Sequence, residues 1–229
     1  MDVGGQLADY YSARAAEYER IYARPERQAD LARLRQVIAS YFRARRVLEI
    51  AAGTGYWTAV MAPSAASVLA TDINTSVLDV ARAKPMLDGD VRFQLADAFD
   101  LAGVAGAFDA CLAGFWWSHV ARARIPRFLE SLHRRLGPGA RVLFLDNRYV
   151  EGSSTPIART DAEGNTYQRR LLENGTAHEV LKNFPEPGEL REQLGAAGGR
   201  AVEVTELTYY WYAAYELAGA TATVQATTT

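Results

Sequence analysis

At 229 residues, with 49% hydrophobic and 23% charged side chains, the chain has room for one substantial core and the composition of an ordinary globular protein. A formal net charge of -2 gives no whole-chain attraction for nucleic acid or anionic membrane, so neither is an expected partner. The one cysteine, Cys111, reads as a small core residue; it excludes an intramolecular disulfide and a cysteine-based zinc site, and no metal centre is expected.

The first residues, Met1-Asp2-Val3-Gly4-Gly5, lack the basic and apolar regions of a signal peptide, and no apolar run reaches membrane-spanning length. A cytoplasmic protein is expected. Residues 6–42 have a helical pattern broken at Pro25. Tyr10, Tyr11, Tyr18 and Tyr22 punctuate the stretch before the break, and Leu31, Leu34, Val37, Ile38, Tyr41 and Phe42 form a single apolar stripe after it. Then the pattern changes. Residues 46–50 predict a short strand, Ala51-Ala52-Gly53-Thr54-Gly55 a tight loop, and residues 56–62 a helix. A second strand over 68–72 leads to Asn74, a cap for a helix reaching Ala83. Strands follow at 91–95 and 108–113, then a helix over about 121–136 stopped at Gly137-Pro138-Gly139, then a strand at 141–145. Strands alternating with helices in this way predict an α/β, doubly wound, Rossmann-like sheet with helices on both faces.

Two stretches break the alternation. Residues 149–184 are polar, and two strands at 165–172 and 176–183 are expected to pair as a hairpin through Asn174-Gly175. After a helix at 187–197, strands at 201–207 and 209–217 have almost no loop between them. They must be antiparallel, because parallel neighbours need a long crossover. Residues 1–218 are expected to form one domain, with N-terminal helices over 1–42 and the hairpin as an insertion. The Ala/Thr-rich tail 219–229 is expected to be disordered.

The chemistry concentrates in Glu49-Ile50-Ala51-Ala52-Gly53-Thr54-Gly55. Gly53 and Gly55 allow a ligand to approach the backbone closely. Asp72, at the end of the next strand, is placed to accept hydrogen bonds from the two hydroxyls of a ribose. A dinucleotide is disfavoured: the register from Gly53 puts Thr58 where a small residue is wanted, and Glu49 would repel a pyrophosphate. The same carboxylate suits a ligand with an ammonium group. Asp97-Ala98-Phe99 adds an acid suited to the exocyclic amine of adenine.

With its Glu49–Gly55 loop, Asp72, Asp97-Ala98 and terminal β-pair, the sequence resembles the class I S-adenosylmethionine-dependent methyltransferases over residues 46–217. The resemblance implies a seven-stranded, mostly parallel sheet of order 3-2-1-4-5-7-6 with the last strand antiparallel. It implies S-adenosylmethionine as cofactor, S-adenosylhomocysteine as product, and a small-molecule acceptor. Glu49, Gly53 and Gly55 would then surround the methionine moiety, Asp72 the ribose, and Asp97 and Ala98 the adenine, with Ile73 and Phe99 as further cofactor-binding residues. The backbone at Gly114 and Phe115 would complete the pocket. Ala51 stands where the family often has a glycine, and Tyr11 would belong to a lid over the cofactor.

On the acceptor side, Gly114-Phe115-Trp116-Trp117-Ser118-His119 follows the fourth strand. His119 is a candidate general base, against the alternative of a hydrogen-bonded structural histidine. Trp116 and Trp117 either line the acceptor pocket or pack under the next helix. The insertion is a solvated hairpin, a cover over that pocket or a homodimer contact. Rival readings are a non-catalytic S-adenosylmethionine-binding module and another nucleoside-cofactor enzyme on the same fold.

Overall fold

The computed structural model describes residues 18–84, 89–171 and 175–219. The helical pattern before residue 18, with Tyr10 and Tyr11, lies outside the described residues, as do Asn174 and positions 220–229 of the tail.

In chain order the strands are β1 (Arg46–Ile50), β2 (Ser67–Asp72), β3 (Val91–Leu95), β4 (Phe108–Gly114), β5 (Leu136–Asn147), β6 (Ile157–Thr160), β7 (Thr166–Leu171), β8 (Ala177–Leu181), β9 (Gly199–Glu206) and β10 (Tyr210–Leu217). The α-helices are α1 (Gln28–Tyr41), α2 (Tyr56–Met61), α3 (Thr75–Arg82), α4 (Ile125–His133) and α5 (Pro187–Ala196). Seven strands form one sheet of order β3-β2-β1-β4-β5-β10-β9, and β6-β7-β8 form a second. The first five strands of the large sheet run parallel, while β10 is antiparallel to both its neighbours. Counted within that sheet, this is the expected order 3-2-1-4-5-7-6.

The period of two along each strand divides the core. Leu48, Cys111, Ala113, Val142 and Phe144 face one buried cluster with Phe128 and Leu190. Val47, Ala110, Leu112, Leu143 and Leu145 face the other, with Leu31, Leu34 and Ile38 of α1. A parallel sheet covered on both faces has near-continuous apolar strands, and that is what β4 and β5 present. The strand order reverses between β1 and β4, which opens a crevice at their carboxyl ends.

Local chemistry explains the departures from expectation. The helix expected over 121–136 begins as a 3-10 turn, Arg122–Arg124, and is α-helical only over α4; another 3-10 turn, Trp117–His119, precedes it. Pro126 has no N–H and fits only a first helical turn, so the α-helix starts beside it. Gly137-Pro138-Gly139 is no free turn: β5 already begins at Leu136. The β4–β5 register passes from Phe108–Leu136 to Ala110–Arg141, so these residues bulge within the strand. The insertion gains a third strand, β6, exposed along its whole length and therefore without an apolar alternation to read. The cap at Asn74 holds, its side chain accepting from Ser76 N at 2.9 Å.

Candidate active site

β1 delivers the chain into a loop whose backbone turns left-handed at Ala51 (φ +52°), Gly53 (φ +56°) and Gly55 (φ +76°). Ala51 thus adopts a conformation that glycine takes at no steric cost, at an expense of about 1 kcal/mol. At Gly55 an added Cβ would stand 2.9 Å from the Cβ of Ala81 on α3. Gly55→Ala is therefore expected to destabilise the fold by about 2 kcal/mol or more, from backbone strain and overpacking together, as read by urea unfolding. At Gly53 the same added atom would meet none of the described residues within 4 Å.

Asp72 faces this loop. One carboxylate oxygen accepts from Gly53 N at 2.9 Å and the other from Asn74 N at 2.9 Å. Burial pushes its carboxyl upward, partly offset by those backbone N–H groups. The backbone N–H of Ile73 acts on the same carboxylate in the same direction. Glu49 is 2% exposed and accepts from Thr58 Oγ1 at 2.6 Å. Burial pushes its carboxyl up to about 8; the Thr58 bond and Lys84 act against this, and the charge of Asp72 reinforces it. Thr58, which spoiled the dinucleotide register, is thus the hydrogen-bond donor to Glu49.

Beyond β3, Asp97 is exposed and makes a tight turn, its side chain accepting from Phe99 N at 2.9 Å. Ala98 is buried at 8% exposure, and the Phe99 ring packs edge-on against Trp116 and Phe128. Ile73, directly after Asp72, is 56% exposed, a large apolar side chain left in solvent at the mouth of the crevice. Tyr22, just before α1, stacks on Tyr56 with ring centroids 3.7 Å apart, and Glu19 accepts from Thr54 Oγ1 at 2.7 Å. The 3-10 turn Tyr18–Ala23 is thereby tied to the glycine loop.

At the exit of β4, Phe115 has φ +58° and its ring turns away into an aromatic group with Tyr22, Trp57 and Tyr210. Trp117 is 1% exposed and packs on Phe144 of β5 and Trp211 of β10. Trp116 stays partly buried between Phe99 and Phe128. His119 is buried, with Nδ1 2.7 Å from the carbonyl oxygen of Leu181. A carbonyl only accepts, so Nδ1 carries the proton and Nε2 is the acceptor nitrogen of a neutral ring. Burial holds the imidazole well below its usual pKa and the positive charge of Lys182 adds to this, while Asp146 works in the opposite direction.

The strap β7–β8 contributes a group that the sequence pattern did not single out. Lys182 Nζ lies 2.9 Å from Asp146 Oδ1 and donates to Ser118 Oγ at 2.6 Å, with Lys182 3% and Asp146 0% exposed. Asp146 also accepts from Ser118 N at 2.9 Å. Burial pushes the Asp146 carboxyl up, but the charge and hydrogen bond of Lys182, with the N–H of Ser118, outweigh it and hold it below the ordinary carboxylate value. Asn183 locks the strap down, its N donating to Ser118 O at 2.8 Å and its Nδ2 to Val120 O at 3.0 Å. The available signal was an acid ending the apolar run Val142-Leu143-Phe144-Leu145-Asp146 at a parallel strand's carboxyl end.

A reversal of strand order, a left-handed glycine loop and acids at successive strand ends define a nucleoside-cofactor enzyme of the doubly wound class. Comparison with known proteins makes this specific. A family model described as a methyltransferase domain matches residues 47–139. The demethylmenaquinone methyltransferase of Clavibacter sepedonicus is 32% identical over 175 residues, covering 71% of this chain and 69% of that protein. The ubiquinone biosynthesis O-methyltransferase of Xanthomonas axonopodis pv. citri (strain 306) is 34% identical over 167 residues, covering 72% and 66% respectively. A solved DhpI–SAH complex superimposes with a TM-score of 0.76 at 30% identity, over 94% of this chain and 97% of that one. The chain belongs to the class I S-adenosylmethionine-dependent methyltransferases and transfers a methyl group from that cofactor to a small-molecule acceptor. Among the described residues no helix is long and apolar enough to cross a membrane.

Proposed function

We propose that the cofactor lies across the carboxyl ends of β1, β2 and β3 and that methyl transfer takes place at the exit of β4, beneath the β7–β8 strap. The observation that supports this placement best is Asp72 held 2.9 Å from Gly53 N, where a Cβ on the glycine would meet none of the described residues. These residues fit the group. Asp72 would take the ribose hydroxyls, Glu49 and the backbone at Ala51, Gly53 and Gly55 the methionine end, and Ile73, Asp97, Ala98 and Phe99 the adenine. Gly114 and Phe115 would close the crevice with their backbone. Tyr11 belongs to the same proposal as a lid residue.

When bound, S-adenosylmethionine supplies an electrophilic methyl whose departing thioether is neutral, so no acid is required of the protein. The chain's own contribution is alignment and exclusion of water. Trp116 is proposed to border the acceptor, whereas Trp117 is left to packing. His119, neutral with Nε2 as acceptor, is suited to take a proton from an acceptor that arrives protonated. His119→Ala is expected to leave S-adenosylhomocysteine affinity intact and to lower turnover at least tenfold. Unchanged turnover in that variant would return His119 to a structural role.

Glu49 gives the cofactor site its own pH signature. With its carboxyl raised to about 8 it is mainly neutral at pH 7. The stability of this neutral form is present below the unfolded value and lost as pH rises through about 8. A ligand ammonium beside it favours the ionised form, so binding at pH 7 should release up to about one proton and tighten between about pH 6.5 and 8.5. Calorimetry with S-adenosylhomocysteine in buffers of different ionisation enthalpy reads this directly; Glu49→Gln should abolish the release. The finer readings of a cytoplasmic enzyme and of a homodimer built through the strap rest on the sequence and on the exposed β6 strand. Analytical ultracentrifugation would decide the second.

A further inference from the structure

The chain leaving β8 runs beside the turn that carries His119, and its backbone groups alternate in direction. Lys182 is committed to β7: its N–H donates to Thr166 O at 2.8 Å, and its carbonyl accepts from Thr166 Oγ1. The carbonyl of Leu181 and the N–H of Asn183 point the other way, toward the turn. Asn183 N donates to Ser118 O at 2.8 Å, as a neighbouring parallel strand would. The N–H of Ser118, which would complete such a bridge at Leu181 O, is instead given to Asp146 Oδ2 at 2.9 Å. Leu181 O takes the Nδ1 proton of His119 in its place, at 2.7 Å. The imidazole thus stands in a ladder position that a backbone donor would ordinarily fill.

Two buried asparagines fix this register. Asn183 is 3% and Asn165 2% exposed. Asn183 Oδ1 accepts from Thr166 N at 2.9 Å, while its Nδ2 donates to Val120 O at 3.0 Å and to Asn165 Oδ1 at 3.2 Å. With a donor at one end of the amide and acceptors at the other, only one orientation of the side chain satisfies the site. Asn165 Oδ1 also accepts from Arg122 N at 2.8 Å, and its Nδ2 donates to Asp161 Oδ2 at 3.0 Å. The segment is therefore held at Ser118, Val120 and Arg122, on both sides of His119. An apolar side chain at 183 could fill the same space, but it could not dictate which residue lies opposite which. A slip of one residue would bring the Lys182 backbone to the turn and take the Leu181 carbonyl away from the ring.

We propose that Asn183 is a positioning residue for methyl transfer: through the register it imposes on Ser118–Val120, it keeps the Leu181 carbonyl on His119 Nδ1 and so keeps Nε2 as the basic nitrogen. This rests on His119 as the base proposed above. A neutral imidazole has one proton, and the nitrogen that holds it cannot accept another. The hydrogen bond at Nδ1 decides which nitrogen that is. Once Leu181 O drifts, the ring can exchange tautomers and rotate, and fewer molecules present an unprotonated Nε2. The loss should fall on turnover and spare cofactor binding, because the partners of Asn183 all belong to the strap or to the turn: Thr166, Asn165, Ser118 and Val120.

The test is nitrogen NMR of the whole protein with isotope-labelled histidine, saturated with S-adenosylhomocysteine. The chain has three histidines, and the His119 signals are those lost in His119→Ala. In the wild type above neutral pH they should show a protonated Nδ1 and an unprotonated Nε2. Asn183→Ala should move roughly a third or more of the population to the other tautomer. Turnover is read as S-adenosylhomocysteine release with the acceptor used for His119→Ala. Asn183→Ala should lower kcat about fivefold, leave KM for S-adenosylmethionine within about twofold, and cost nothing further when His119 is already alanine. Asn183→Ser, whose hydroxyl can still serve Thr166 N or Val120 O, should fall between, and it replaces the alanine variant if that one does not fold. Val180→Ala, which removes buried packing from β8, is the structural control and should leave tautomer and kcat as in the wild type. An unchanged tautomer in the Asn183 variants, or an equal loss of turnover with and without His119, would overturn the proposal and leave His119 as the base. A tautomer scrambled as strongly by Val180→Ala would also overturn it, because any loosening of the strap would then suffice. Unchanged turnover in His119→Ala would instead overturn the base reading, and this proposal with it.

Discussion

Asp72→Ala is expected to weaken S-adenosylmethionine binding about 100-fold. Two charge-assisted hydrogen bonds to ribose hydroxyls, each contributing about 1.5 kcal/mol or more, together make about 3 kcal/mol, which is roughly two decades in Kd. The same carboxylate also orders the loop, accepting from Gly53 N and Asn74 N at 2.9 Å each. Its removal therefore costs both a ligand contact and the preorganisation of the glycine turn. Asp72→Asn retains one acceptor oxygen but turns an amide toward backbone donors, and should fall between wild type and alanine. Titration calorimetry with S-adenosylmethionine and the three proteins checks the order. Equal affinity in all three would remove Asp72 from the cofactor site.

The second large effect is on stability. Asp146→Ala leaves Lys182 buried without its carboxylate and takes an acceptor from Ser118 N. Breaking a buried pair from one side costs about 3–5 kcal/mol, a large share of the stability of most domains. Urea unfolding should register that loss. Asp146→Leu combined with Lys182→Met should recover much of it, because an apolar pair of similar volume avoids the desolvation penalty. The double variant would then be folded, and its rate of methyl transfer would separate the strap's structural role from the role proposed for it at the transfer face. If Asp146→Ala lost less than about 1 kcal/mol, the pair would not be what fastens the strap to β5.

The sheet was legible because its signals are local and periodic. Short apolar runs such as Val47-Leu48-Glu49-Ile50 alternate with helical stripes, and the short link from Glu206 to Tyr210 leaves no room for a parallel crossover. What escaped were features set by long-range pairing. The Gly137-Pro138-Gly139 run has turn chemistry, yet Leu136 pairs with Phe108 and draws it into β5. β6 has no apolar face to announce it and exists because Thr166 and Gln168 pair with it.

The candidate site divides in the same way. Glu49, Gly53 and Asp72 sit in a compact motif whose spacing expresses their chemistry. Lys182, Asp146 and Ser118 come from three distant regions of the chain, and nothing near Lys182 in sequence distinguishes it from other basic residues of the insertion. Trp117 illustrates the limit for aromatic residues: its neighbour Trp116 remains partly buried at the crevice, while one position further the side chain lies in the core against Phe144. Which way each indole points depends on the 3-10 turn Trp117–His119, which composition does not reveal.

The most direct test of the proposed site is a crystal structure of the protein with S-adenosylhomocysteine bound. The ribose hydroxyls should lie within hydrogen-bond distance of Asp72, the amino group near Glu49 and the Gly53 backbone, and Ile73 should be covered by adenine. The sulfur should face the exit of β4 toward Trp116 and His119. A ligand bound away from Asp72, or with its sulfur turned from the strap, would contradict the placement of both the cofactor and the transfer face.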